Sequence, residues 1–262
     1  MARRLRFLLT PRWIALLAVA LVVAATCIRL GIWQLDRLGQ RRALNERIRT
    51  GLAAEPVSFD TLPGTPDDVY HSVVATGTYD PEHEVLWYGR AFDGQPGHHV
   101  LTPLIVGTEQ AGQGQIAILV DRGWVPAELG TPPVEQATPP AGPVSATGFL
   151  IPTGDEGDVV IDRDASGRPL TVRRPDPAAL GGAVPYDLWP LAMQLEEQSP
   201  AQAGELPVTV PPPELDEGPH LSYAVQWFIF ATIALIGFVV LARREAREQQ
   251  RPAEHAPESE PG

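Results

Sequence analysis

The sequence predicts a membrane protein of α+β class, in which two transmembrane helices flank an extracytoplasmic domain built as a mostly antiparallel β-sheet or small barrel. Three observations carry this. Two apolar runs lie near opposite ends of the 262 residues. The segment between them is acidic and rich in proline, which suppresses long helices. Within it, short runs of β-branched and aromatic residues follow one another without intervening helical pattern.

Residues 1–12 form a basic leader with Arg3, Arg4, Arg6 and Arg12. Residues 13–28 (WIALLAVALVVAATCI) then carry no charge. Continuing through Arg29, which can extend its head toward lipid headgroups, residues 13–33 make a segment about 31 Å long, enough for a bilayer core of about 30 Å. A basic stretch before an apolar run also describes a secretory signal, and Ala24-Ala25-Thr26-Cys27 hints at lipoprotein cleavage. That cleavage site lacks a branched apolar residue three before the cysteine and a small one just before it. The apolar pattern also continues through Leu30, Ile32, Trp33 and Leu35, so a retained anchor is favoured.

The extracytoplasmic domain is placed at residues 34–222. Its first part, 34–52, lacks proline and repeats Leu44, Ile48 and Leu52 every fourth residue, which predicts a helical stalk. A β-rich core follows at 69–151, with strands expected at 69–79, 84–90, 99–106, 115–125 and 144–151. Residues 130–143 and 207–219 are proline-rich loops, the second a semi-rigid connector back to the membrane. Residues 191–198 (LAMQLEEQ) fit a strand or a short helix equally. The second span is residues 223–241 (YAVQWFIFATIALIGFVVL), about 28 Å long. After it, residues 242–262 begin basic (Arg243, Arg244, Arg247, Arg251) and end in a polar, proline-bearing tail expected to be disordered.

Arginines outside both spans put both termini in the cytoplasm of a multi-pass plasma-membrane protein. Arg37, Arg41, Arg42, Arg47 and Arg49 pull the other way. Against them, residues 34–220 hold 11 arginines and 27 acids, a net charge of −16 that should repel anionic headgroups. The whole chain carries −12, which argues against a nucleic-acid partner. All 20 basic residues are arginine, which suggests a GC-rich genome, and the lack of a Ser/Arg-rich transit peptide argues for a bacterial rather than a mitochondrial form.

Catalytic chemistry is hard to find. No nucleophile elbow, phosphate-cradling glycine loop or HExxH occurs, and the single cysteine, Cys27, lies in a span. Asp67-Asp68 and Glu196-Glu197 are expected as solvated surface pairs pointing different ways, and His98-His99 as one inward and one outward side chain on a strand. With only Met1 and Met193 as thioethers, a copper(I) site lacks its soft ligands. No metal site is expected. One local pattern stands out: His220, Tyr223 and Trp227 share a helix face where the second span begins. There a histidine could ligate haem iron between flanking aromatics. The reading the residues alone favour is that the aromatics are interfacial anchors and His220 the water-facing residue that opens the helix.

LGIWQLDR (residues 30–37), LVDRGWVP (119–126) and HLSYAVQWFIFA (220–231), in this order between two spans, resemble the Surfeit locus protein 1 family, assembly factors of cytochrome c oxidase. The resemblance covers about residues 12–245 and is loose between 152 and 219. It implies a non-enzymatic role in maturing the catalytic subunit of a haem–copper oxidase, in contact with that subunit, the lipid bilayer and the haem a synthesis machinery, with haem a as cofactor. His220 matches the histidine associated with haem in bacterial members, with Tyr223 and Trp227 beside it. Trp33, Gln34, Arg37, Arg122, Gly123 and Trp124 match family-typical positions with structural or partner-contact roles. Gly123 is expected to permit a bend and Trp124 to pack beneath it. Arg122 is either a partner contact or the paired neighbour of Asp121. A different class, a two-span envelope-facing binding or sensing module without haem, also fits the residues, and an enzyme fits them least.

Overall fold

The computed structural model describes residues 7–106, 114–154 and 159–249. The arginines at 3, 4, 6 and 251 and the expected disordered tail lie outside these residues. In chain order the elements are helix α1 (Pro11–Ala53), strands β1 (Val57–Ser58), β2 (Ser72–Tyr79), β3 (Val85–Phe92), β4 (Gln95–Ile105), β5 (Ile116–Pro126), β6 (Pro143–Ile151), β7 (Val160–Arg163) and β8 (Pro169–Val172), the one-turn helix α2 (Pro177–Leu180), strand β9 (Asp187–Ser199) and helix α3 (His220–Glu248). They fall into two compact units, Met1–Asn45 with Asp216–Gly262, and Glu46–Leu215.

In the first unit α1 and α3 are each long and apolar enough to cross a membrane. They pack antiparallel. Trp13 meets Phe238 edge to face with ring centroids 6.0 Å apart, Ala24 and Cys27 pack on Ala231, and Gly31 lies against the Phe228 ring. A Cβ at Gly31 would sit 2.8 Å from that ring, so glycine sets how closely the helices approach there. The sides turned away from this seam stay apolar and exposed, as in Val19, Val22, Ile233 and Ile236. Such an all-round apolar helix is the pattern of a lipid-facing span.

The second unit is a nine-stranded sheet in the order β1-β2-β6-β9-β5-β4-β3-β8-β7, and β2 also pairs with β4. That last pairing, Thr78 with Ile105 and Tyr79 with Leu104, closes β2, β6, β9, β5 and β4 into a five-stranded barrel. Alternate residues fill its interior: Val73, Leu104, Ile118, Val120, Val144, Leu150 and Met193 form one buried cluster drawn from all five strands. The outer wall is covered too, because Leu101, Leu119, Phe149 and Ala192 pack under Val159, Val172 and Leu180 of the chain between β6 and β9. Strands β4 and β5 are therefore buried on both faces along most of their length.

The sheet is mixed, which corrects the expected antiparallel arrangement. Among the described residues β1 runs parallel to β2, β8 to β3 and β9 to β5, while the other six pairings are antiparallel. The absence of helices between strands had argued for antiparallel neighbours. Here the return to parallel is made by a β excursion, residues 127–186, which carries β6 to β8 before β9 enters beside β5. Residues 191–198 belong to a strand. Val69 to His71 precede β2 as a turn. The compact β unit begins at Glu46 and ends at Leu215, inside the 34–222 expected for the domain.

Candidate functional site

Two motif clusters are built, one in each unit. At the end of the helix pair, His220 opens α3 and its Nδ1 lies 2.8 Å from Oε1 of Gln34 on α1. Both side chains are half-buried. An amide oxygen only accepts, so Nδ1 carries the proton and donates, and Nε2 is left with its lone pair. Nearby, Arg42 pairs bidentately with Glu217 at 3.0 and 2.9 Å, and Asn45 donates to the Asp216 carbonyl. These contacts fasten the chain where it leaves and rejoins the helix pair. Hydrogen bonding from Arg42 holds the Glu217 carboxyl below its ordinary range.

Of the other expected residues, Trp227 packs with Ala24, Cys27 and Ala231, so it is turned toward α1. Tyr223 is 47% exposed. Trp33 is exposed, with the Arg37 guanidinium 5.6 Å from its ring centroid and Arg37 Nη1 donating to Gln40. The helix thus brings His220 and Trp227 to the seam and leaves Tyr223 outside it.

In the β unit the Arg-Gly-Trp run lies in the last half of β5, followed by Val125 and Pro126. Gly123 takes φ +128°, and a Cβ there would stand 2.3 Å from the Val208 carbonyl oxygen, so both conformation and space demand glycine. The close approach lets Trp124 exchange two backbone hydrogen bonds with Val208, each 2.8 Å. Trp124 is 6% exposed, donates its indole N–H to the Arg90 carbonyl at 3.0 Å and packs on Phe92. Asp121 and Arg122 point to opposite faces of the strand and do not pair with each other. Asp121 accepts from His99 Nδ1 at 2.7 Å and from the Gly123 N–H at 3.1 Å. Arg122 enters the barrel, where Nη2 donates to Gln202 at 2.7 Å, Nη1 lies 3.7 Å from Glu84, and the guanidinium stands 5.2 Å from the Tyr79 ring centroid.

Glu84 is as buried as Arg122 and accepts from Thr102 Oγ1 and the Val134 N–H. Burial pushes its carboxyl above the ordinary range, against the opposing pull of Val134, Arg122 and Thr102. Burial likewise lowers Arg122, with Tyr79 and Glu84 opposing. Glu84, Thr102 and Gln202 were not singled out in the sequence: they stand far from Arg122 along the chain, Gln202 by 80 positions, and nothing local marks them. Three expectations need correction. His98 and His99 are both buried, because β4 is covered on both faces. Asp68 is buried too, its carboxylate accepting from the Thr65 N–H and hydroxyl, while Asp67 stays exposed. Glu196 and Glu197 are exposed as expected but do not alternate, since β9 carries one extra residue between its pairings of Leu195 with Gly148 and Glu197 with Thr147.

A model of the SURF1 family matches residues 21–232, which takes in all but the start of α1, the whole β unit and the first half of α3. SURF1-like proteins of Mycobacterium bovis and Mycobacterium tuberculosis, both named as uncharacterized, are 33% identical over 264 residues, covering 97% of this chain and 92% of theirs. A SURF1-like protein of Monosiga brevicollis is 28% identical, covering 88% of this chain and 87% of its own. With one family model spanning both clusters, and relatives aligned over nearly the full length, the chain belongs to the SURF1 family.

Proposed function

We propose that this protein is an assembly factor of the bacterial plasma membrane, with both termini cytoplasmic and the β unit on the outer side. It assists haem a insertion into, or maturation of, the catalytic subunit of cytochrome c oxidase. The family is associated with cytochrome c oxidase assembly. The observation that carries the finer reading is the 2.8 Å contact between His220 Nδ1 and Gln34 Oε1. It joins two of the three sequence motifs at the end of the helix seam, and it selects the tautomer whose Nε2 is the basic nitrogen. A histidine held through Nδ1–H with Nε2 open is the arrangement found in metal-ligating histidines, so the donor set fits a haem iron.

In this reading His220 would hold the iron, Gln34 would orient the histidine, and Trp227 from within the seam and Tyr223 from outside it would contact the group. When bound, haem a would bring the iron that the oxidase later uses for electron and oxygen chemistry. The half-burial of His220 suits a transient holder, because the ligand can be approached from outside the seam. The partner surfaces are the oxidase catalytic subunit and the haem a synthesis machinery, within the bilayer that holds both helices.

The test is co-expression with haem a synthesis, followed by purification and a visible spectrum. The wild-type chain should carry haem a, and His220→Ala should lose it or shift its absorbance to the blue while still inserting into the membrane. An unchanged haem a to protein ratio in His220→Ala would remove the haem role and leave a two-span binding module.

A further inference from the structure

Arg37, Arg41, Arg42, Arg47 and Arg49 follow the first span on what is here the outer side, where the positive-inside rule gives them no place. We propose that Arg37 and Arg41 receive the propionate carboxylates of the haem held by His220, so that the site selects a porphyrin with free carboxylates. This assignment rests on the haem reading of His220 and extends it to the charged edge of the ligand.

The five arginines differ in what already holds them. Arg42 grips Glu217 through two nitrogens, Arg47 donates to the Pro66 carbonyl and lies 4.0 Å from Asp67, and Arg49 pairs with Glu46. Arg37 has only neutral partners, the Gln40 amide oxygen at 2.9 Å and the Trp33 ring. Among the described residues the Arg41 side chain has no hydrogen bond or ion pair. The acids nearby are taken or turned elsewhere: Glu217 is on Arg42, Glu46 on Arg49, Asp216 accepts from the Gly218 N–H, and Asp36, at i+2 from Gln34, stands off the face of that residue. Two exposed guanidiniums are thus left without a counter-charge.

Their place on α1 ties them to His220. Gln34, Arg37 and Arg41 follow the i, i+3, i+7 spacing of one helix face, with Arg37 and Arg41 about 4.5 and 10.5 Å past Gln34 along the axis. Gln34 holds Nδ1 of His220. At the other edge of the ring stands Gly218, at φ +68°, where a Cβ would come 3.4 Å from Cδ2 and 3.5 Å from Nε2. The turn containing Gly218 lies along the same stretch of α1, because Arg42 and Asn45 hold Glu217 and the Asp216 carbonyl. The open nitrogen is therefore at the arginine-bearing end of the seam, beyond the apolar contacts of Ala24, Cys27 and Ala231.

That end suits one edge of a haem. The macrocycle carries its two carboxylates together and is apolar elsewhere, and a guanidinium fork matches a carboxylate. On the span side of His220 the helices offer Ile32, Val225 and Ile229, all apolar and exposed, and Arg29 lies off the face of Gln34. Only the stalk side has unneutralised cations on that face.

The experiment uses the full chain in phosphatidylcholine nanodiscs with two probes, haemin and haemin dimethyl ester, titrated by Soret absorbance. The wild type should bind haemin about tenfold more tightly than the ester. Arg37→Gln combined with Arg41→Gln should cut that preference to about twofold or less. Both side chains are exposed and iron ligation is untouched, so the Soret band and the melting midpoint should stay in place. Arg37→Lys with Arg41→Lys, which keeps both charges, should retain most of the preference. His220→Ala should move the Soret band and weaken haemin and ester alike, leaving the preference between them. Equal binding of the two probes by the wild type, or a preference that survives the double glutamine variant, overturns the assignment and leaves the haem reading standing. An unmoved Soret band and unchanged affinity in His220→Ala overturn the haem reading, and this assignment with it. Loss of the preference when phosphatidylglycerol replaces phosphatidylcholine would assign the arginines to lipid phosphate and would also overturn it.

Discussion

The β unit and the helix pair place their polar motif residues in opposite settings. In the β unit, Arg122, Glu84, Asp121 and His99 are all at most 4% exposed and are joined to one another or to backbone groups across several strands. At the helix junction Gln34 and His220 are half-buried and bonded to each other by a single contact. A group sealed inside a wall on both faces cannot be changed without disturbing the wall, whereas one at an open seam can be changed while the helices stay packed on Ala24, Cys27 and Ala231. The same sequence signal, a short run of polar and aromatic residues, thus marks architecture in one unit and an accessible contact in the other.

The sharpest way to test that contrast is Gly123→Val. A β-branched residue at φ +128° with its Cβ 2.3 Å from the Val208 oxygen combines backbone strain with a backbone clash, so the β unit should fail to accumulate and should be cleaved rapidly in limited proteolysis. Near-normal abundance with lost oxidase maturation would instead make this run a contact site. Next in size, Trp124→Ala removes an indole that is 6% exposed, and should lower unfolding stability by about 3–5 kcal/mol in denaturant titration.

A third test reads pH. Glu84 holds its proton more tightly folded than unfolded, so native stability falls as pH rises from the ordinary carboxylate value of 4.5 to the raised folded value. Below that window Glu84 contributes no slope. Glu84→Gln should flatten the decline, to which Glu196, also raised by burial, contributes with the same sign. An unchanged stability profile would mean that Glu84 is not the buried acid. The smallest stability effect is expected at the seam. Gln34→Leu should cost about 0.5–1.5 kcal/mol for one lost hydrogen bond, yet weaken haem a retention about 10- to 100-fold if Gln34 orients His220. The haem to protein ratio of this variant, measured beside its melting curve, separates the two effects.

What could be read from the sequence followed the range of the interaction. The two long helices were legible because their apolar runs are continuous, and β2 to β6 because β-branched residues recur between Gly, Pro and Asp turns. The last strand was ambiguous, since LAMQLEEQ suits either period and its bulge breaks the alternation that would have decided it. Strands β7 and β8, four residues each, are too short to show a pattern. The parallel entry of β9 beside β5 leaves no local trace at all. In the site, Gly123 and Trp124 were visible by residue type, and the partners of Arg122 were not, because the pairing with Glu84, just before β3, is made only when β3 and β5 come to lie on either side of β4. Gln34 and His220 were each visible as motif members, but their meeting, across a separation of 186 residues, needed the antiparallel seam.

The fastening at the end of that seam bears on how such a chain can be rearranged. Asn45 donates to the Asp216 carbonyl at 3.3 Å and Arg42 grips Glu217, so the returning chain is tied to α1 at one spot, beyond which α1 runs on to Ala53. Everything from Glu46 to Leu215 is, topologically, cargo inserted in a single interhelical turn. Since lengthening a loop adds only about 0.6 kcal/mol of closure entropy for each doubling, the hairpin should tolerate exchange of that cargo. Joining residue 45 to residue 216 through a short glycine-serine turn should leave a two-helix anchor onto which the corresponding insert of a relative, or none, can be transplanted.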